Sequence, residues 1–394
     1  MAASTTNCWL GCNAWSYPLP DDCSILVVGG GVIGLSIAWE LAGRGHEVTI
    51  IDKLRLGKKA SWAGAGILAP ANAQTATQPM DKLMGLGSDY HKSWTTKLRQ
   101  QTGMDNGYRE CGGLYVAATA GDKAALAGQM LNWNEYQIKF KELSVVERKA
   151  DAGFLGIDNS AKIVQVPGES QICNPDHLRA LANACYANGV KIIEECPEPV
   201  FELNSGRIET VTIDGNKISF DDVCLCAGAW SQSLLTQFDV NLPLIPVRGQ
   251  MLMYELGSPL FQPIINVGPR YIVPRESGYV LVGSTLEEVG FDERTTPDKL
   301  EELQDFAIST VPALTKERCV AKWAGLRPAT NDGFPFMGRL ANFENGFVAT
   351  GHFKCGLQMS PAVAVIMADL IEERTPVMDI APFDPSRLDF CVSE

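Results

Sequence analysis

An apolar, β-branched run at residues 25–28 gives way to glycines, apolar positions then recur at helical spacing, and a second apolar run ends in Asp52. The pattern predicts strand, helix, strand. The glycines and serines within residues 24–42 argue against the other reading of so apolar a stretch, a membrane span. "LGKKASWAGAGILAPAN", residues 56–72, is rich in small residues and predicts a loop and helix start. Helical periodicity follows from about Asp81 to Gln101. "GGLYVAAT" predicts a strand and "GDKAALAGQMLNWNEY" a helix. "NPDHLRALANACYANGVKIIEE" predicts a helix capped by Asn174, a stop at Gly189 and a following strand. "RIETVTID" and "KISFDDVCLCAG" predict a hairpin leading back to a buried strand that ends in Gly228.

From Leu244 to Lys322 the pattern changes to alternation, in "PVRGQMLMYEL", "RYIVPRESGYVLVGST" and "CVAKWAGLRP", with one helix near Pro297 to Thr310. Alternating strands joined by turns predict an antiparallel sheet inserted into the first domain. The closing "GFVATGHFKCGLQMSPAVAVIMADLIEE" predicts a strand, a glycine-rich turn and an apolar helix that return to it.

The first unit carries chemistry. Gly29, Gly31 and Gly34 form G-x-G-x-x-G between strand and helix, and Asp52 stands 18 residues after Gly34. Gly29 permits the tight turn, Gly31 lets the backbone approach a pyrophosphate, and Gly34 lets helix and strand pack closely. The helix N-terminus offers free N–H groups and a positive dipole end to phosphates. An acid at the spacing of Asp52 accepts hydrogen bonds from a ribose. A nicotinamide dehydrogenase would continue into a full doubly wound sheet, whereas these α/β units stop after two strands and resume far downstream. An interrupted nucleotide domain of that kind suits FAD.

Composition narrows the reading further. At 394 residues, 46% hydrophobic and 20% charged, the chain suits a globular enzyme with a sizeable core. A formal charge of −13 argues against a nucleic-acid partner. No basic residue precedes Arg44, so residues 1–22 read as an extension and not a leader, with Trp9 and Trp15 available to dock elsewhere. The 12 cysteines contain no C-x-x-C pair, and the four histidines, His46, His91, His177 and His352, are scattered, so no metal site is expected. Cys224 and Cys226 read as small buried hydrophobes, and free thiols in the cytoplasm are expected.

The fingerprint together with "GAWSQSLL", "IPVRGQ", "RYIVPRESGYVLVGST", "KWAGLRPATNDGFPFMGR" and "ATGHFKCGLQMSPA" resembles the glycine oxidases of the thiamine-pathway type. These belong to the D-amino-acid oxidase and sarcosine oxidase superfamily, and the resemblance runs from about Ser24 to Glu373. It implies an α/β plus α+β fold, an interrupted Rossmann-like FAD-binding domain with an inserted antiparallel-sheet substrate domain. The expected boundaries are 23–105, 160–243 and 323–385 for the first domain and 106–159 and 244–322 for the second, with a tail at 386–394.

Residue by residue, the resemblance puts Val32 and Ile33 beside the pyrophosphate and Asp52 and Lys53 at the adenosine ribose. Ala60, Ser61, Ala65, Gly66 and Ile67 would run along the flavin, and Val200 would meet the adenine through its backbone. His352, Phe353, Lys354, Cys355, Gly356, Leu357 and Gln358 would cover the pyrimidine end of the ring. Gly228 marks another close backbone approach. Arg327 and Tyr271 would hold a substrate carboxylate, the guanidinium through its fork and the phenol through its hydroxyl, with Ile67 and Lys354 nearby. By residue type alone, Arg327 could equally cap carbonyls before Pro328, and Tyr271 could simply pack.

The implied reaction is oxidation of a small amino acid, glycine foremost, by hydride transfer from its α-carbon to the flavin, with dioxygen as final acceptor. It serves thiamine-thiazole synthesis in the resembling enzymes, which are commonly homo-oligomers. Orientation over the ring is what such chemistry needs. No cysteine stands in "PATNDGFPF" to attach the flavin covalently, so non-covalent FAD is expected. Lys354 in place of arginine, Ile67 in place of methionine and Pro269 in place of histidine depart from the pattern and bear on the substrate. The alternatives are a dehydrogenase or oxidase of D-amino acids, sarcosine or proline, a 2-hydroxy-acid oxidoreductase, and a tRNA-modifying flavin domain.

Overall fold

A computed structural model describes residues 20–391, with side chains through Leu388. The expected extension, with Trp9 and Trp15, lies outside the described residues except for its last three positions.

The fingerprint strand Asp22–Val28 lies between two parallel neighbours, Val48–Ile51 and Asn216–Leu225, and Lys191–Ile193 extends the sheet beyond the first of them. Successive strand residues point to opposite faces. Ile25 and Val27 therefore join one core with the helices Val32–Gly43, Pro79–Thr102, Asn174–Ala187 and Gly356–Ile371. Leu26 and Val28 join a second core on the other face, with Ile208, Val211 and Phe238. The strand Asn216–Leu225 changes partners along its length. Asn216 to Ser219 pair antiparallel with Arg207–Ile213, whereas Val223 to Leu225 pair parallel with Gly346–Thr350. The C-terminal strand thus returns to the first sheet, as its sequence predicts.

The second eight-stranded sheet runs, in spatial order, through 318–330, 244–255, 279–283, 270–274, 264–267, 113–117, 162–166 and 141–142. Its pairs are antiparallel except for Gly113–Ala117 against Ile264–Val267. Leu252 and Tyr254 face a core shared with the helix Pro297–Thr310. Their neighbours Met251 and Met253 face the other way, toward Ala65 and Ile67 of the small-residue segment. One face of this sheet is therefore a support and the other a wall.

Three expectations are corrected here. Lys162–Val166 and the whole of Arg318–Thr330 belong to the second sheet, although 160–243 and 323–385 were assigned to the first domain. Periodicity identifies a strand but not its partner. The 13-residue strand Arg318–Thr330 pairs with Leu244–Glu255 from Arg318 to Thr330, so the chain changes sheets after it and not inside it. Asn174 does not cap its helix: Cys173 holds the cap position, and the Asn174 amide donates to the Ser61 carbonyl at 2.6 Å. The tail expected from residue 386 begins inside the 3-10 helix Pro385–Cys391, where Arg387 donates to Asp332 at 2.8 Å and to the Phe334 carbonyl at 2.7 Å.

Among the described residues no helix is long and apolar enough to cross a membrane, and no group of three metal-ligating side chains occurs. The cysteines with described side chains are free thiols.

Candidate active site

A cavity of about 670 Å³ lies between the two sheets, lined at one end by the fingerprint and at the other by Tyr271, Ser284 and Arg327. Volumes of this size are typical of small-molecule sites.

Gly29, Gly31, Val32, Ile33, Asp52 and Lys53 line the first end. Gly34 does not; a Cβ there would lie 1.9 Å from the Gly29 carbonyl, so its role is close packing of helix on turn. The helix Val32–Gly43 has no acidic residue in its first turn, and its cap residue Gly31 offers no side chain; Ser61 Oγ, from the small-residue segment, accepts from Val32 N at 2.9 Å. Asp52 braces the loop as well as facing the cavity. Its carboxylate accepts from Gly30 N at 2.6 Å and Leu54 N at 2.7 Å, while burial pushes its pKa up.

Along the middle run Ala60, Ser61, Ala65, Gly66, Ile67 and Gly228. Gly66 sits at φ +70°, and a Cβ would fall 1.9 Å from the Ile172 carbonyl, so the small-residue segment passes where no side chain fits. Three contacts hold it there. Ile172 N donates to Gly66 O at 2.8 Å, Asn174 holds Ser61, and Arg275 Nη2 donates to Ala65 O at 2.9 Å. Arg275 comes from the turn after strand Arg270–Pro274 and also donates to Gln171 Oε1 at 2.6 Å and Ile172 O at 2.9 Å. Burial holds its pKa below the ordinary arginine value.

His352 through Gln358 close the cavity on the far side. The helix Gly356–Ile371 begins here, without a side-chain cap or an acid in its first turn. His352 is buried, its Nε2 has no hydrogen-bond partner among the described residues, and burial pulls its pKa down to about 3. It is a neutral imidazole.

At the substrate end, period two puts Trp323, Gly325 and Arg327 on one face of their strand. Trp323 Nε1 donates to Ala63 O at 3.0 Å, and a Cβ on Gly325 would touch Ala63. The Arg327 guanidinium lies over Gly249, where a Cβ would come within 2.2 Å of it. It donates to Ser284 Oγ at 2.7 Å and to Thr285 O at 3.3 Å, with no carboxylate partner among the described residues. The Tyr271 hydroxyl meets only the Met251 sulfur, a weak acceptor at 3.5 Å. The Lys354 ammonium stands 5.1 Å from the Phe353 ring centroid, its pKa lowered by burial first and by the charge of Arg327 second. Arg327 and Lys354 thus both line the cavity without an acidic partner among the described residues. An incoming carboxylate fits that arrangement.

The model of the FAD dependent oxidoreductase family matches residues 24–370. The chain belongs to that family. It is 32% identical over 365 residues to a glycine oxidase of Pseudomonas aeruginosa, covering 92% of this chain and 98% of that one. It is 30% identical to the bifunctional protein ThiO/ThiG of Synechocystis, over 92% of this chain and 54% of that protein. The crystal structure of glycine oxidase from Geobacillus kaustophilus superposes with a TM-score of 0.88 at 30% identity, covering 93% of this chain and 99% of that one.

The family's cofactor fits the residues present. A glycine fingerprint at one end, a helix start at Gly356 with neither side-chain cap nor acid at the other, and the orphaned His352 imidazole suit an elongated, anionic group. Val200, expected to meet the adenine through its backbone, is not itself among the lining residues, whereas the adjoining Cys196, Glu198 and Pro199 are. The sequence reading also missed Asn174, Ser284 and Arg275, which act through contacts distant in sequence. It missed Lys59, Trp230, Phe291 and Glu293 as well, which line the cavity with Lys59 paired to Glu293. The polar "NPD" after a strand was the one local hint at Asn174.

Proposed function

We propose that this member of the family oxidises a small amino acid, glycine first, with dioxygen as electron acceptor, in the cytoplasm and as a homo-oligomer. The observation that carries the reading is Arg327, a half-buried guanidinium without an acidic partner in the cavity that holds the fingerprint. Its fork would take the substrate carboxylate in two hydrogen bonds, and Tyr271 would exchange its weak sulfur contact for a carboxylate oxygen. That anchoring would fix the orientation in which the amino acid meets the cofactor. Bound FAD supplies the hydride acceptor and the two-electron link to dioxygen, giving hydrogen peroxide. The protein's contribution is orientation: no general base is required when the amine is neutral and hydride leaves from carbon. The imine so formed hydrolyses to glyoxylate and ammonia or is passed on as dehydroglycine, the use that thiazole synthesis would make of it. The similarity to glycine oxidases over nearly the whole of both chains supports glycine over bulkier amines.

The test is anaerobic mixing of the purified holoprotein with excess glycine. Bleaching of the flavin band supports the assignment. A band that persists with glycine and bleaches with sarcosine, proline or a D-amino acid replaces glycine by that substrate.

A further inference from the structure

The helix Gly356–Ile371 contains Pro361. Proline has no N–H, and its ring crowds the carbonyl four residues earlier, so Leu357 O loses its helical donor. Two side chains reach it instead, Ser360 Oγ at 3.0 Å and His91 Nε2 at 2.9 Å. His91 belongs to the helix Pro79–Thr102, one turn beyond Gly87, where a Cβ would lie 2.1 Å from the Gln358 carbonyl. The two helices therefore meet tightly at the point where the second one faces the cavity.

Because Nε2 of His91 donates to a carbonyl, its Nδ1 carries a bare lone pair. Behind it packs His177 of the helix Asn174–Ala187, with ring centroids 5.6 Å apart. Asn106 fixes the state of His177. Its Oδ1 accepts from Tyr108 N at 3.1 Å, so its Nδ2 is the atom that donates to Thr95 Oγ1 at 3.1 Å and to His177 Nδ1 at 3.2 Å. His177 must then hold its hydrogen on Nε2. The two ring atoms left over, Nδ1 of His91 and Nε2 of His177, are both buried and make no hydrogen bond among the described residues. Both rings are fully buried, and burial keeps them neutral, drawing His91 to about 4 and His177 well below its ordinary value.

We propose that His91, backed by the packed ring of His177, supplies the donor that Pro361 lacks and so fixes the Leu357 carbonyl and, through it, the uncapped helix start at Gly356 that faces the cofactor cavity. His91 is a positioning residue, since it acts on the cofactor's surroundings through Leu357 and Gln358, both of which line the cavity. Gln358 passes the constraint across: it accepts from Ala69 N at 3.1 Å and donates to Ala69 O at 2.9 Å, tying the helix start to the segment after Ile67. The amides of Gly356 to Gln358 would favour the reduced, anionic form of a bound flavin, and their tilt depends on where Leu357 is held.

A double-mutant cycle on the holoprotein tests this role of His91, with the midpoint potential and visible spectrum of the bound FAD as readouts, neither of which depends on the amine oxidised. His91→Phe leaves Leu357 O with Ser360 alone, whereas Pro361→Ala returns the missing N–H. We expect His91→Phe to change the ratio of affinities for reduced and oxidised FAD at least tenfold, about 30 mV for a two-electron couple. Adding Pro361→Ala should recover more than half of that shift, and His91→Gln, which can still donate, should lie close to wild type. Imidazole nitrogen NMR of the unaltered protein should show His91 and His177 as neutral Nε2–H tautomers. An unshifted potential in His91→Phe, no recovery on adding Pro361→Ala, or an Nδ1–H tautomer at His91 overturns the proposal. Should His91→Phe fail to hold flavin, His91→Gln and the tautomer spectrum decide it.

Discussion

Replacing Arg327 by leucine removes a cation on the cavity wall whose hydrogen bonds among the described residues go to neutral oxygens, Ser284 Oγ and Thr285 O. A carboxylate about 4 Å from a guanidinium in a half-exposed site gains about 4 kcal/mol at an effective dielectric near 20. Truncating one partner of such a pair costs about 2–5 kcal/mol in total. At about 1.4 kcal/mol per tenfold, that is a loss of roughly 30-fold to several thousandfold in kcat/KM. Lys354 stays behind as a second positive charge, so we expect a loss near the lower end, roughly a hundredfold. The substrate carboxylate bears the same charge before and during hydride transfer. Most of the loss should therefore appear in KM, with kcat falling only as far as orientation is lost. Arg327→Lys keeps the charge without the fork and should fall between the two. Flavin content should be unchanged, because Arg327 makes no hydrogen bond to the fingerprint or to the helix start at Gly356. The assay is steady-state oxygen consumption normalised to bound FAD, with glycine varied. An Arg327→Leu protein within threefold of wild-type kcat/KM, or one that purifies without flavin, would refute the assignment of this residue.

The other expectations concern stability and cofactor linkage. Glu169 is buried against Asn266, whose amide donates to both carboxyl oxygens at 3.2 and 3.0 Å, and burial pushes its pKa from the ordinary 4.5 up to about 8. The folded protein then holds a proton that the unfolded chain has released between these two values, so stability falls as pH rises through that window and the penalty is complete above it. The full penalty is at most about 5 kcal/mol. Glu169→Gln should flatten the dependence, its melting temperature gaining on wild type from pH 5 to pH 8.5; parallel curves would remove the assignment. FAD should be released from the polypeptide by acid precipitation, leaving a colourless pellet, whereas colour retained on the chain would show a covalent bond.

The nucleotide end of the site was legible because its determinants are local. A G-x-G-x-x-G after an apolar run fixes turn, helix start and backbone approach within ten residues, and Asp52 closes the same unit. Periodicity likewise anticipated the helices Pro79–Thr102 and Pro297–Thr310, and the alternation that brings Trp323, Gly325 and Arg327 to one face. Partners were not legible. That Arg318–Thr330 pairs with Leu244–Glu255 and that Gly249 makes room for the Arg327 guanidinium both depend on which strands meet. Asn174, whose residue type suggested a cap, is drawn instead to Ser61. Arg275 and the His91–His177 pair were ordinary letters in the sequence, a strand-end arginine and two scattered histidines. A residue's own neighbours set its propensity and its face, but hydrogen bonds in the interior are satisfied by whatever the packed chain brings within 3 Å, and that is settled only when the elements assemble.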